Sequence, residues 1–275
     1  MKTPKVSIII LNWNGWKDTI ECINSIKKIS YPNYEIIVVD NASKGNDSNI
    51  LKKKFGNSIR LIKNKENYGF ARGNNVAIKQ VLRENKSQYV LLLNNDTTVD
   101  KNFLTELVEV AEKDEKIAIL GPKMYYYDYN GKKNIIWFGG GKINWKKYPG
   151  YHHIDQFKEE NRLGKVIEVD WISGACLMMN LKRINPLLNE DYFFGCEDID
   201  KCIKTKRQGL DVFYVSNSII WHKVSKSRKK SMIQNFKADL TNFKLTKNNN
   251  SFWIFLIPYY SIIILIKFII KNLKK

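Results

Sequence analysis

The sequence predicts an α/β fold: a mostly parallel, Rossmann-like sheet with flanking helices. Three observations carry the prediction. Short apolar runs recur through the first 120 residues, amphipathic helical repeats lie between them, and polar residues collect where the runs end. The strand candidates are residues 6–11 (VSIIIL), 34–40 (YEIIVVD), 58–63 (SIRLIK), 89–94 (YVLLLN) and 118–121 (AILG). Runs this short and this continuously apolar suit strands buried on both faces. Between them, Trp16, Ile20 and Ile23 are spaced for one helix, and Asn74, Ala77, Ile78, Val81 and Leu82 for another. With right-handed crossovers and a strand order of 3-2-1-4, the order reverses between the first and fourth strands. Asn12 and Asp96 would then face one crevice at the carboxyl ends of the strands.

Composition narrows the partners. A chain of 275 residues, 44% hydrophobic and 12% aromatic, is long and apolar enough to bury a substantial core. Its 46 Lys+Arg against 27 Asp+Glu give a net charge of +19, which calls for an anionic partner. Cys22, Cys176, Cys196 and Cys202 form no CxxC pair and no zinc spacing, so reduced thiols are expected. The run at residues 6–11 is too short for a signal peptide, so the chain is expected to stay inside the cell.

What binds in the crevice follows from the strand ends. The first strand continues as NWNG, with no G-x-G-x-x-G, and no P-loop occurs anywhere. Asp40, closing the second strand, is placed to accept the imide N–H of a uracil or thymine. In NKENYGFARGNN, Gly69 and Gly73 stand at a helix head whose N–H groups suit phosphate, and Arg72 adds a charged contact. Asn12, Trp13, Asp40, Asn41, Asn67, Gly69, Arg72, Asn74, Asn95 and Asp96 make up the expected nucleotide-sugar set. A diphosphate there calls for a hard divalent cation, Mn²⁺ or Mg²⁺, with Asp96 as first ligand and His222 as second. The acid–base candidates are Glu197 and Asp198, at the first turn of a helix, one of them taking the proton of an acceptor hydroxyl. Upstream, VDWISGACLMMN reads as a strand whose Trp171 and Gly174 line an acceptor site, with core packing an equal reading of Trp171.

At these residues the chain resembles the family 2 glycosyltransferases of GT-A type fold, and within them the rhamnosyltransferase-like branch. The motifs are, in order, VSIIILNWNG, VVDNAS, ENYGFARGNN, LLLNNDTTVD, WISGACLMM, FFGCEDIDKCIKTKRQG and a late WH. The resemblance implies an inverting transfer of a sugar from a UDP- or dTDP-linked donor to a hydroxyl of a glycan or lipid-linked acceptor in surface polysaccharide assembly. It implies that Asp40 reads the base, Asp96 and His222 hold the metal, and Asp198 is the base with Glu197 supporting it. Two departures stand out. Asn94 and Asn95 occupy positions where the family's metal motif often has an earlier aspartate, and Asn74-Asn75 stands where many relatives carry Arg-Asn. The expected domains are a catalytic part, 1–235, with a nucleotide-sugar half at 1–121 and an acceptor half at 122–235, then a basic and hydrophobic tail at 236–275.

In that tail, residues 252–270 form a 19-residue apolar run interrupted by Pro258 and Lys267 and flanked by lysines on both sides. Symmetric flanks give no orientation for a span. An anchor lying in the plane of the cytoplasmic, anionic leaflet fits the pattern better, beside a single span or a subunit contact. The basic stretch at 222–230 is read as a headgroup contact, a lid over the donor or a solvated loop. Two rival functions are kept: a catalytically inactive sugar-nucleotide binder, and a basic nucleic-acid-binding module, although no DNA- or RNA-reading motif is present. An oligomer is left open.

Overall fold

A computed structural model describes residues 3–132, 134–144, 150–153, 164–193, 195–224, 232–249, 254 and 258. In chain order the elements are β1 (Val6–Asn12), α1 (Trp16–Ile26), β2 (Tyr34–Asp40), α2 (Asp47–Phe55), β3 (Arg60–Lys63), α3 (Gly69–Glu84), β4 (Tyr89–Asn94), β5 (Thr97–Val99), α4 (Phe103–Ala111), β6 (Ile117–Tyr126), β7 (Ile136–Phe138), β8 (Gly141–Asn144), β9 (Gly150–His153), β10 (Val166–Glu168), β11 (Cys176–Asn180), α5 (Glu197–Arg207), β12 (Asp211–His222) and α6 (Met232–Asn249). The central strands are apolar on both faces because both are covered: Ile8, Ile9 and Ile10 of β1 and Val90 and Leu91 of β4 are all fully buried.

The main sheet runs β10-β12-β6-β11-β4-β1-β2-β3, with β5 added to β12 and β7 to β6. The expected order 3-2-1-4 is present, and β1 pairs in parallel with both β2 and β4. The sheet is mixed rather than simply parallel, because β11 inserts beside β4 in the opposite direction, with Cys176 opposite Leu93. That reversal has a functional consequence. The chain entering β11, residues 171–175, arrives beside the carboxyl ends of β1 and β4, where open α/β sheets take their ligands.

Three details depart from the sequence reading. The strand expected at 118–121 is the middle of the longer β6, so a boundary between halves at 121/122 cuts through one strand. In α1 the buried stripe is Thr19, Cys22, Ile23 and Ile26, while Trp16 and Ile20 are only half-buried. Leu82, expected in the core, lies at the exposed edge of α3. The four cysteines are buried free thiols.

The chain divides into two compact units, residues 1–142 with 153–224, and residues 143–152 with 225–275. The first holds the main sheet; the second holds α6 and most of the two-stranded ribbon of β8 and β9. Among the described residues no helix is long and apolar enough to cross a membrane. The anchor expected at 252–270 lies outside the described residues, apart from 254 and 258, as does most of the basic stretch at 222–230.

Candidate active site

Polar residues at the ends of β1 and β2 form a closed cluster. Asn12, fully buried, donates from Nδ2 to Asp40 Oδ1 at 3.1 Å and to Asp47 Oδ2 at 3.1 Å. Its Oδ1 accepts from the Thr19 hydroxyl at 2.7 Å. Asp40 Oδ1 also accepts from the Ser43 hydroxyl at 2.5 Å, and Asp47 Oδ2 accepts the Trp16 amide at 3.1 Å. Asp40 is thus fixed on one edge by its own neighbours. Trp13 projects from the same loop and is 46% exposed.

One strand along, Asp96 and His222 meet. Asp96 Oδ1 lies 3.0 Å from His222 Nε2, and the Asn94 amide nitrogen lies 3.5 Å from the same ring nitrogen. The antiparallel pairing of β5 with β12 makes this contact: His222 sits opposite Thr97, and the Lys223 amide donates to the Asp96 carbonyl at 2.9 Å. The ring of Trp137 stands edge-on to His222 with centroids 4.4 Å apart. Burial pushes the Asp96 carboxyl up, but the hydrogen bond and charge of His222, its own amide and Lys223 outweigh it and hold Asp96 below the ordinary carboxylate value. His222 Nδ1 is buried with no hydrogen-bond partner. An ionised carboxylate beside an imidazole is a mixed oxygen and nitrogen donor pair that fits Mn²⁺ or Mg²⁺. Among the described residues no third His, Cys, Asp or Glu is grouped with them.

The carboxylates of α5 complete the site. Gly195 and Cys196 both have positive φ, 96° and 70°, and turn the chain sharply into the helix so that Glu197 and Asp198 point inward. Asp198 Oδ2 accepts the Gly174 amide at 2.7 Å, and Oδ1 accepts the Ile199 amide at 2.9 Å. Burial raises the Asp198 carboxyl against those amides. Burial first, and the Asp198 charge second, push Glu197 up to about 8, and Glu197 Oε2 is buried without a partner. The two ends of the site are joined directly. Gly174 holds Asp198, the next residue, Ala175, accepts the Asn94 amide through its carbonyl at 2.9 Å, and the Asn94 side chain reaches His222.

The glycosyl transferase family 2 model matches residues 7–178, more than half of the chain, and takes in the ends of β1, β2 and β4 but not Glu197, Asp198 or His222. The chain belongs to this family. It is 25% identical over 217 residues to the low-salt glycan biosynthesis hexosyltransferase Agl10 of Haloferax volcanii, covering 75% of this chain and 63% of that one. It is 28% identical over 229 residues to the rhamnosyltransferase WbbL of Escherichia coli, covering 76% and 80%. Against the first curated relatives it spans from 25% to 63% of their length. In fold it is similar to GalNAc-T7, solved with UDP, GalNAc and Mn²⁺ (TM-score 0.69, 17% identical, 90% of this chain and 48% of that one). It is also similar to the mannosyltransferase PcManGT of Pyrobaculum calidifontis, solved with GDP-Man and Mn²⁺ (TM-score 0.63, 16% identical, 91% and 66%). These likenesses establish a GT-A-like fold.

Within this family 2 chain, several expected site residues are otherwise engaged. Asn41 and Asn67 shape the turn before α3: Asn41 Nδ2 donates to Asn67 Oδ1 at 2.8 Å, and Asn41 Oδ1 accepts the Tyr68 amide at 3.1 Å. The Gly69 amide, expected on phosphate, donates to Asn67 Oδ1 at 2.9 Å, and the Phe70 amide to the Phe193 carbonyl at 2.9 Å. Gly69 has φ +73°, and a Cβ there would stand 2.3 Å from that carbonyl, so only glycine fits. Arg72 lies exposed with its guanidinium 3.9 Å above the Tyr68 ring. Asn74 bonds back to the Phe70 carbonyl of its own helix at 2.9 Å, and Asn95 ties β4 to the Thr19 hydroxyl at 3.0 Å. Trp171 is a core residue, 6% exposed, packed on Phe138 and pressed against Gly141. The sequence reading missed Asp47, Thr19 and Ser43, which hold Asn12 and Asp40, and Trp137, which backs His222. Polar residues in turns give no sequence signal that separates such roles from solvated ones.

Proposed function

We propose that the protein is an inverting glycosyltransferase that moves one sugar from a UDP- or dTDP-sugar to a hydroxyl of a glycan or lipid-linked acceptor. The observation that carries the reading is the continuous link from Asp198 through Gly174, Ala175 and Asn94 to His222 and Asp96. It sets a buried carboxylate beside a donor pair suited to a metal-bound diphosphate. In the displacement, the acceptor oxygen forms its bond to the anomeric carbon as the bond from that carbon to the diphosphate oxygen breaks. The bonding electrons leave with the nucleoside diphosphate, and the hydroxyl proton passes to Asp198. A raised pKa makes Asp198 the stronger base, and the Gly174 amide keeps its Oδ2 in place. Burial raises both carboxyls of the pair, and the charge of Asp198 raises Glu197 further. Asp96 and His222 would hold the cation, which when bound neutralises the charge on the departing diphosphate. Asp40, fixed by Asn12 and Ser43, reads the base, with Trp13 free to cover it.

The rhamnosyltransferase and hexosyltransferase relatives support a deoxyhexose or hexose donor and a role in polysaccharide assembly. The +19 charge supports work at an anionic membrane surface, which we place at the cytoplasmic leaflet. The test is calorimetric titration with UDP-, dTDP- and GDP-sugars, with and without Mn²⁺, followed by a transfer assay with the donor that binds. Metal-dependent binding of one uridine or thymidine donor, lost in Asp96→Ala, supports the reading. Binding without transfer to any acceptor would leave a sugar-nucleotide-binding protein. No binding by the folded protein would remove the reading altogether.

A further inference from the structure

We propose that Lys223 is a positioning residue: by pairing with Asp18 and Glu21 of α1 it holds the end of β12 in register, sets His222 against Asp96, and so sets the affinity for the divalent cation. The inference rests on the assignment of Asp96 and His222 as metal ligands. Lys223 Nζ lies 2.5 Å from Asp18 Oδ1 and 2.6 Å from Glu21 Oε2, and 5.2 Å from the centre of the Tyr127 ring. Tyr127 joins the same knot, its hydroxyl donating to Glu21 Oε1 at 2.6 Å and its amide to the His222 carbonyl at 2.8 Å.

The geometry explains why a latch is needed there. His222 ends β12, and Val224, two residues on, has a positive φ of 38°, where the strand direction is lost. Terminal pairs of a ladder open most easily. The metal pair depends on the last rungs: His222 opposite Thr97, and the Lys223 amide on the Asp96 carbonyl. Lys223 follows directly on the last residue of β12, and its ammonium reaches Asp18 and Glu21 of α1 while the His222 imidazole meets Asp96. Partly exposed ion pairs contribute little to global stability. Their effect is expected in ligand geometry, where losing an outer partner typically costs about 10–100-fold in metal affinity.

The experiment is Mn²⁺ binding to the full chain, without nucleotide, followed by the electron paramagnetic resonance signal of free Mn²⁺, with melting temperature recorded for every variant. Asp96→Asn should abolish binding. Lys223→Met should weaken it roughly tenfold with little change in melting temperature, and Lys223→Arg should recover most of the loss. The double variant Asp18→Asn/Glu21→Gln should reproduce the Lys223→Met loss, and adding Lys223→Met to it should weaken binding no further. If Lys223→Met does not fold, that double variant carries the test. Binding lost in Asp96→Asn but kept in Lys223→Met and in the double variant overturns the latch alone. Binding unaffected by Asp96→Asn, or absent from the folded wild type, overturns the metal assignment beneath it.

Discussion

The two ends of the crevice handle buried polarity in opposite ways. At the β1–β2 end, Asn12 satisfies Asp40, Asp47 and Thr19 within one closed cluster. At the β4–β11 end, His222 Nδ1 and Glu197 Oε2 are buried with no partner. Folded proteins leave few such atoms, because each costs about 1–3 kcal/mol. On the proposed reading, the difference separates a recognition end whose polar groups are already paired from a chemical end that keeps unpaired polar atoms. Substitutions at the first should cost stability along with binding; those at the second should cost chemistry alone.

The largest effect is expected at the chemical end. Asp198→Asn keeps the volume and one acceptor oxygen for the Gly174 amide but removes the base. The turnover rate should fall about 10²–10⁴-fold, with donor affinity measured by calorimetry unchanged. A fall below threefold would remove Asp198 from the base role. At the recognition end, Asn12→Ala should instead destabilise the fold by about 3 kcal/mol in urea denaturation, since two carboxylates and a hydroxyl lose their shared partner. Donor binding should weaken in parallel. If Asn12→Ala melts like the wild type, the contrast between the two ends fails.

Next in size is a pH effect confined to the chemical end. The Glu197 carboxyl is raised from 4.5 to about 8 by burial and by Asp198. Between those values the folded chain holds a proton that the unfolded chain has released, so stability falls as pH rises. The contribution is present in full below 4.5, is lost progressively, and is gone above about 8. Glu197→Gln, neutral throughout, should melt close to the wild type near pH 5 and above it near pH 8. Parallel melting curves for the two proteins across that window would mean that Glu197 is ionised in the fold.

These contrasts also mark what the sequence made legible. The first four strands, the Asp96–His222 pair and the Glu197-Asp198 pair were legible from apolar runs and motif order, signals written in residue type, whereas the order 3-2-1-4 entered as an assumption that the sheet bears out. The antiparallel entry of β11, which brings Gly174 to Asp198, has no such signal, because a five-residue buried strand reads the same in either direction. The helix head is a related case: Gly69 and Gly73 have the pattern of a phosphate cradle, and only the fold shows that Asn67 takes the Gly69 N–H and the Phe193 carbonyl the Phe70 N–H. Lys223 was hidden by distance, since its partners lie about two hundred residues away on α1.

The smallest expected effect settles which side of that line Asn74 belongs to. Motif position places it among the sugar-nucleotide ligands, whereas in the fold it is 1% exposed and its amide bonds to the Phe70 carbonyl one turn back. Back-bonding of this kind competes with helix geometry and stabilises little. Asn74→Ala gives up one hydrogen bond of about 1 kcal/mol and regains most of it in helix propensity. Stability should therefore change by less than about 1 kcal/mol, and the donor KM by less than about twofold. A donor KM raised tenfold, with the melting temperature unchanged, would mean that Asn74 leaves Phe70 to meet the ligand. The recognition end of the crevice would then extend along α3.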